Sequence, residues 1–163
     1  MGRGKMPATT AVRELRANEV EFTDHPYEYE EKGGTAASAR ELGVPEHAVV
    51  KTLVMEDEDK RPLVVLMHGD LKVSTRELAR IIGVKAVSPC SPETANRHSG
   101  YIVGGTSPFG TRRKMPVYME ESILELPKIY INGGRRGYLV GISPQDVARV
   151  LAPRLVKVGI REA

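Results

Sequence analysis

Two apolar runs joined by a short charged connector limit what this chain can become. Residues 49–55 (VVKTLVM) and 62–67 (PLVVLM) are dominated by β-branched and large aliphatic side chains, and EDEDKR lies between them. Runs of this length and composition are strands, and the connector is long and polar enough to turn in solvent, so the pair predicts an antiparallel hairpin. A sheet must then cover that hairpin.

The remaining segments alternate irregularly between helix and strand signals. Residues 10–18 place Val12 and Leu15, with Val20 beyond, at helical spacing behind Thr10, read as the cap. Residues 21–29 (EFTDHPYEY) are polar and aromatic around a proline, the mark of an edge strand or extended segment rather than a central strand. Residues 35–42 form a short helix stopped by Gly43, and Pro45 opens another helical turn. Ser74-Thr75-Arg76-Glu77 has capping-box spacing ahead of Leu78, Ile81 and Ile82, with Gly83 as the stop. A short strand at 85–88, a helix at 92–98, and strands at 117–119, 129–132 and 137–142 follow, with a helical turn between 119 and 129. Ser143 and Pro144 begin a final helix running to Val150 or Leu151. Strands and helices interleaved in this way imply an α+β fold with a mixed, barrel-like sheet flanked by helices. The length of 163 residues fits a single compact domain over 1–163, with residues 1–8 as a flexible tail.

Hydrophobic content of 40% beside 28% charged residues is that of a soluble globular chain. No apolar run approaches the ~20 residues that span a bilayer. The basic start MGRGKMPATT has no apolar core of a signal peptide. Cys90 is the only cysteine, which excludes an internal disulfide and suits a reducing cytoplasm. A net charge of +3 permits a phosphate-bearing partner without requiring one.

The chemistry concentrates in three places. Lys51 shares a strand face with Val49, Leu53 and Met55, opposite Val50, Thr52 and Val54. A cation in that company either snorkels at a strand end or serves a carbonyl or phosphate in a half-buried pocket. Residues 100–110 (GYIVGGTSPFG) hold four glycines, Thr106, Ser107 and Pro108, and lead into Arg112, Arg113 and Lys114. Bare backbone of this kind can present N–H groups to an anion or a polarised carbonyl. Residues 129–137 (IYINGGRRG) repeat the theme, with Asn132 before a Gly-Gly pair and then Arg135 and Arg136; Asn-Gly is equally a hairpin signal.

Familiar catalytic signatures are missing. Thr111 and Arg112 occupy the positions that a P-loop gives to Lys and Ser/Thr, and neither G-x-G-x-x-G after a strand nor G-x-S-x-G is present. His25, His47, His68 and His98 are far apart in sequence and lack ligand spacing, so no metal and no cofactor are expected. Cys90, in SPCSP, reads better as a packed turn residue than as a nucleophile.

The segments VVKTLV, GYIVGGTSPFG and IYINGGRRG, in this order and spacing, resemble the signature segments of the YbaK/EbsC family. Those proteins are free-standing aminoacyl-tRNA deacylases related to the editing domain of bacterial prolyl-tRNA synthetase. The resemblance covers nearly the whole chain from Thr9. It implies a trans-acting deacylase of Cys-tRNA(Pro) or a related small aminoacyl-tRNA, with the charged 3′ end of tRNA as partner and prolyl-tRNA synthetase as a deliverer. Lys51 falls on the family's lysine, and Gly104 and Pro108 fall on its G-x-x-x-P motif. Lys51 and Gly104 are thereby implied to be catalytic. Tyr27, Gly100, Gly105, Thr106, Ser107, Pro108, Asn132 and Arg136 are implied to bind substrate, and Arg112, Arg113 and Lys114 tRNA phosphates. The YbaK branch usually has serine where Asn132 stands and an acidic residue where Leu139 stands, so cysteine, alanine or another small amino acid remain open. A non-catalytic tRNA-, synthetase- or nucleotide-binding module is the alternative.

Overall fold

The computed structural model describes residues 8–161; most of the flexible tail expected at 1–8 lies outside them. The expected hairpin is the centre of the sheet. β2 (Val49–Asp57) and β3 (Pro62–His68) pair antiparallel from Val50 opposite His68 to Glu56 opposite Pro62. Every residue of β3 is buried. Its continuous apolar run packs on both faces, since Val64 and Leu66 enter one cluster while Leu63, Val65 and Met67 enter the other.

The strands β1 (Phe22–Pro26), β6 (Val117–Glu120), β7 (Ile129–Arg135), β8 (Tyr138–Ile142) and β9 (Arg154–Val156) complete the order β1-β8-β7-β2-β3-β6-β9. β5 (Val87–Pro89) pairs with the far end of β2, and β4 (Leu71–Val73) with β10 (Gly159–Arg161). The sheet is mixed as expected: β2 with β7, β3 with β6 and β6 with β9 are parallel, and the remaining pairs antiparallel. Among the described residues its path ends at β1 and β9 and does not close on itself.

Five helices flank the sheet among the described residues: α1 (Thr10–Ala17), α2 (Gly34–Leu42), α3 (Thr75–Ile82), α4 (Pro92–Ser99) and α5 (Pro144–Leu151). Their caps follow the sequence with two corrections. The cap of α1 is Thr9, not Thr10: its Oγ1 accepts from Val12 N and donates to Gly133 O, joining the helix to β7. Ser74 caps α3 through Glu77 N at 3.3 Å, but Glu77 turns to Arg80 instead of closing the box, because Ser74 N–H already donates to Val158 O. Gly43 and Gly83 end α2 and α3 in the left-handed conformation.

The glycine-rich stretch 100–110 links α4 to β6 and is pinned at both ends. Tyr101 and Phe109 are buried in the main core, and the Tyr101 hydroxyl donates to Phe109 O at 2.7 Å. Only the tip emerges, with Ile102 and Val103 about half exposed. Phe109→Ala is expected to cost about 3–5 kcal/mol, the usual range for emptying a fully buried aromatic site, and urea unfolding measures it.

Candidate active site

One edge of β2 faces β3 throughout. The other is covered by β7 only at Val49–Val50 and by β5 only at Met55–Asp57. Between those two contacts the strand borders a cavity of about 910 Å³, lined by β2 residues together with Tyr27, Tyr29, α2, Cys90, Gly104, Thr106, Asn132, Arg136 and Leu139. Cys90 N–H donates to Val54 O at 3.1 Å at the far end of the gap. Strand alternation then puts the N–H and C=O of Thr52 on the same open edge. Thr52 Oγ1 is buried and, among the described residues, finds no hydrogen-bond partner. A buried polar group left in that condition invites a ligand or solvent to satisfy it.

Lys51 is half-buried on the opposite side of the strand and also lines the cavity. Its Nζ donates to Gly69 O at 3.4 Å. The pocket alternative is therefore the one the fold adopts.

The two glycine segments meet across the mouth. Gly104 has φ +90°, and a Cβ there would lie 2.6 Å from the Tyr29 hydroxyl. Asn132 Nδ2 donates to Gly104 O at 3.1 Å, while its Oδ1 accepts from Gly134 and Arg135 N–H at 2.6 and 3.0 Å. Asn132 thus clasps both segments as well as lining the cavity. Arg136 Nε donates to Val103 O at 2.9 Å, and its guanidinium lies 5.0 Å from the centre of the Tyr29 ring. Asn132→Ala is expected to cost about 1–2 kcal/mol by losing these bonds, and to raise hydrogen exchange at 102–106 and 133–136.

The loop's donors are fewer than its glycines suggest. Gly105 N–H is spent on Ile102 O at 2.8 Å, Phe109 N–H on Ser107 Oγ at 3.2 Å, and Arg112 N–H on Ser99 O at 2.9 Å. Gly104 and Thr106 line the cavity, and among the described residues no acceptor takes their backbone N–H groups. Tyr27, Lys51, Gly104, Thr106, Asn132 and Arg136 all line this one cavity. Gly100, Gly105, Ser107 and Pro108 do not line the cavity. Gly100 is the left-handed cap of α4, Gly105 is packed on the Arg135–Arg136 backbone, and Ser107 and Pro108 are buried beneath the tip. Arg112, Arg113 and Lys114 are exposed outside the cavity, just past the loop that ends at Gly110.

Burial pushes the Cys90 thiol up to about 11, so it stays protonated at neutral pH and makes a poor nucleophile. Burial likewise raises the Tyr27 phenol, despite the Gly137 backbone contact that works the other way.

The histidines, distant in sequence, partly assemble. His47, His68 and Asp70 offer ligand atoms within 4.8 Å of one another. Their arrangement is a ring stack and a hydrogen bond rather than a ligand set. His68 Nδ1 donates to His47 O at 2.8 Å and its Nε2 accepts from Ser122 Oγ at 2.7 Å, so both ring nitrogens are engaged. The two imidazoles lie 3.7 Å apart and nearly parallel, so a metal in the plane of one ring lies outside the plane of the other. His47 Nδ1 donates to Asp70. Burial holds His68 below the ordinary imidazole value of 6.5, and His98 shares that direction. The unfolded chain therefore takes up protons that the fold refuses. Stability is full above about pH 6.5 and is lost as pH falls below it. The melting temperature should drop as pH falls below about 6.5, and less steeply in His68→Asn.

Comparison with known proteins decides the kinship of this cavity. A profile for the aminoacyl-tRNA editing domain matches residues 30–150. The chain belongs to the aminoacyl-tRNA editing domain family. A relative from Enterococcus faecalis, provisionally named Cys-tRNA(Pro)/Cys-tRNA(Cys) deacylase EbsC, is 25% identical over 155 residues, covering 94% of each chain. A proline–tRNA ligase of Thermodesulfovibrio yellowstonii is 30% identical over 105 residues, 63% of this chain but only 18% of that enzyme. A crystal structure described provisionally as a trans-editing enzyme for prolyl tRNA synthetase superposes with a TM-score of 0.80 at 20% identity, covering 97% of this chain and all of the other. The two chains thus share a fold over nearly all of this one.

Three residues of this editing domain's cavity escaped the sequence reading. Tyr29 lay in a segment read as an edge strand or extended segment. Thr52 carried a signal, a hydroxyl on the apolar face shared by Val50 and Val54, equivalent to the one that drew attention to Lys51. Thr35 looked like an ordinary first-turn residue of α2.

Proposed function

We propose that this protein is a trans-acting aminoacyl-tRNA deacylase that removes a small amino acid, cysteine or alanine, from the tRNA for proline. The observation that carries the reading is that Lys51, Thr52, Gly104 and Thr106 line one cavity, while among the described residues the Thr52 hydroxyl and the Gly104 and Thr106 N–H groups have no hydrogen-bond partner. These are the groups needed to hold an aminoacyl ester and stabilise the oxyanion that forms when it is attacked. A single oxyanion donor is typically worth about 3 kcal/mol.

In this reading the enzyme supplies no nucleophile, which agrees with a Cys90 thiol held protonated. With a cysteinyl ester the substrate's own thiol attacks the carbonyl carbon. The S–C bond forms, the bond to the ribose 3′ oxygen breaks, and the thiol proton passes to that oxygen; water then opens the thiolactone. With an alanyl ester, water attacks directly. Exposed Ile102 and Val103 offer an apolar face to the terminal base, and Arg112, Arg113 and Lys114 lie toward the tRNA phosphates. A net charge of +3 gives a weak, salt-sensitive grip, which suits delivery by a synthetase.

A non-hydrolysable adenosine carrying cysteine or alanine in 3′-amide linkage tests the reading by NMR. Shifts at Lys51, Thr52, Gly104 and Arg136, with adenosine alone binding less tightly, are expected. Equal binding of free adenosine and the aminoacyl amides would favour a nucleotide-binding module instead.

A further inference from the structure

Lys51 has a flexible four-carbon stem, yet the surroundings of its ammonium are tightly organised. Gly69, which accepts from Nζ, is buried just beyond β3, and its own N–H donates to Val49 O at 2.6 Å. The carbonyl of Gly69 also lies 3.1 Å from Thr35 Oγ1, and that hydroxyl lies 2.7 Å from Glu46 Oε2. A hydroxyl has one proton to give, so Thr35 serves one acceptor at a time and links the two segments that bear them.

The space around Gly69 is closed. A Cβ there would stand 2.7 Å from Thr35 Oγ1 and 2.8 Å from Val49 O, the latter being backbone that cannot turn aside. On either side of Gly69, His68 donates to His47 O and Asp70 accepts from His47 Nδ1. Residues 68–70 are therefore fastened to residues 47–49, just ahead of Lys51. Thr35 adds the third body, α2, which walls the cavity.

We propose that Thr35 is a positioning residue. Through a hydroxyl shared in turn between the Gly69 carbonyl and Glu46, it ties α2 to the acceptor that directs the Lys51 ammonium. The inference rests on the deacylase reading, because the group being positioned is the one that reading assigns to the ester.

The test compares Thr35→Val, which removes the hydroxyl at similar size, with Thr35→Ser, which keeps it. Both are measured in single- and multiple-turnover deacylation of whichever of Cys-tRNA(Pro) or Ala-tRNA(Pro) the wild type cleaves. A misplaced ammonium should lower kcat by about 10- to 100-fold in Thr35→Val with KM nearly unchanged, and Thr35→Ser should restore most of it. Thr35→Val should add nothing in a Lys51→Ala background, since both act through one group. Thr35→Ala gives the same comparison without added bulk if the valine variant does not fold. Wild-type kcat in Thr35→Val, or an equal further loss in the Lys51→Ala background, overturns the inference alone. A wild type that cleaves neither substrate overturns the deacylase reading and this inference with it.

Discussion

Lys51→Ala is expected to leave the fold intact and reduce deacylation by about 10²–10³-fold, the scale of removing one preorganised electrostatic donor. The side chain is half-buried and its bond to Gly69 O is long, at 3.4 Å, so that bond adds little stability. The melting temperature should move only slightly while single-turnover release of amino acid collapses. Lys51→Arg should not rescue. The planar, longer guanidinium cannot occupy the place that Gly69 O gives a compact ammonium. Retained turnover in Lys51→Ala would remove the central role given to this residue.

Gly105→Ala should be the most damaging change in the loop, although Gly105 does not line the cavity. An added Cβ would lie 2.8 Å from Arg136 N and 3.0 Å from Arg135 C. Both are backbone atoms, so the 100–110 loop and the end of β7 must separate. Separation breaks the Asn132–Gly104 and Arg136–Val103 bonds and shifts the Gly104 and Thr106 N–H groups. A stability loss of about 1–3 kcal/mol is the ordinary cost of such overpacking. Turnover should fall further, by about 10²-fold, because displacing oriented groups by an ångström has that effect. Urea denaturation and single-turnover assays on the same sample separate the two. Normal turnover in Gly105→Ala would show that the contact of these two segments does not set the site.

The contrast between Lys51 and Gly105 shows what a sequence can display. A cation among valines breaks a local pattern and marks itself. The close approach of Gly105 to Arg136 joins residues 31 positions apart and leaves no trace in either segment. The same holds for the fold. The β2–β3 hairpin, α3 and the capped start of α5 are written in local composition. β4, β9 and β10 were missed because each is three residues long and exists only through a distant partner, as Gly159 opposite Val73. Ser107 and Pro108 look ligand-facing in sequence because small polar and turn residues usually face solvent. The burial of Tyr101 and Phe109 draws them inside instead. Thr35 and Gly69 could not be connected without knowing that α2 folds over the end of β3.

The most direct test is release of amino acid from Cys-tRNA(Pro) by the wild-type protein, beside Ala-tRNA(Pro) and correctly charged Pro-tRNA(Pro). Rapid loss of cysteine or alanine with proline spared is the expected result, and the faster of the two names the substrate. Failure to deacylate any of the three, even with prolyl-tRNA synthetase added, would contradict the assignment and leave a binding module in its place.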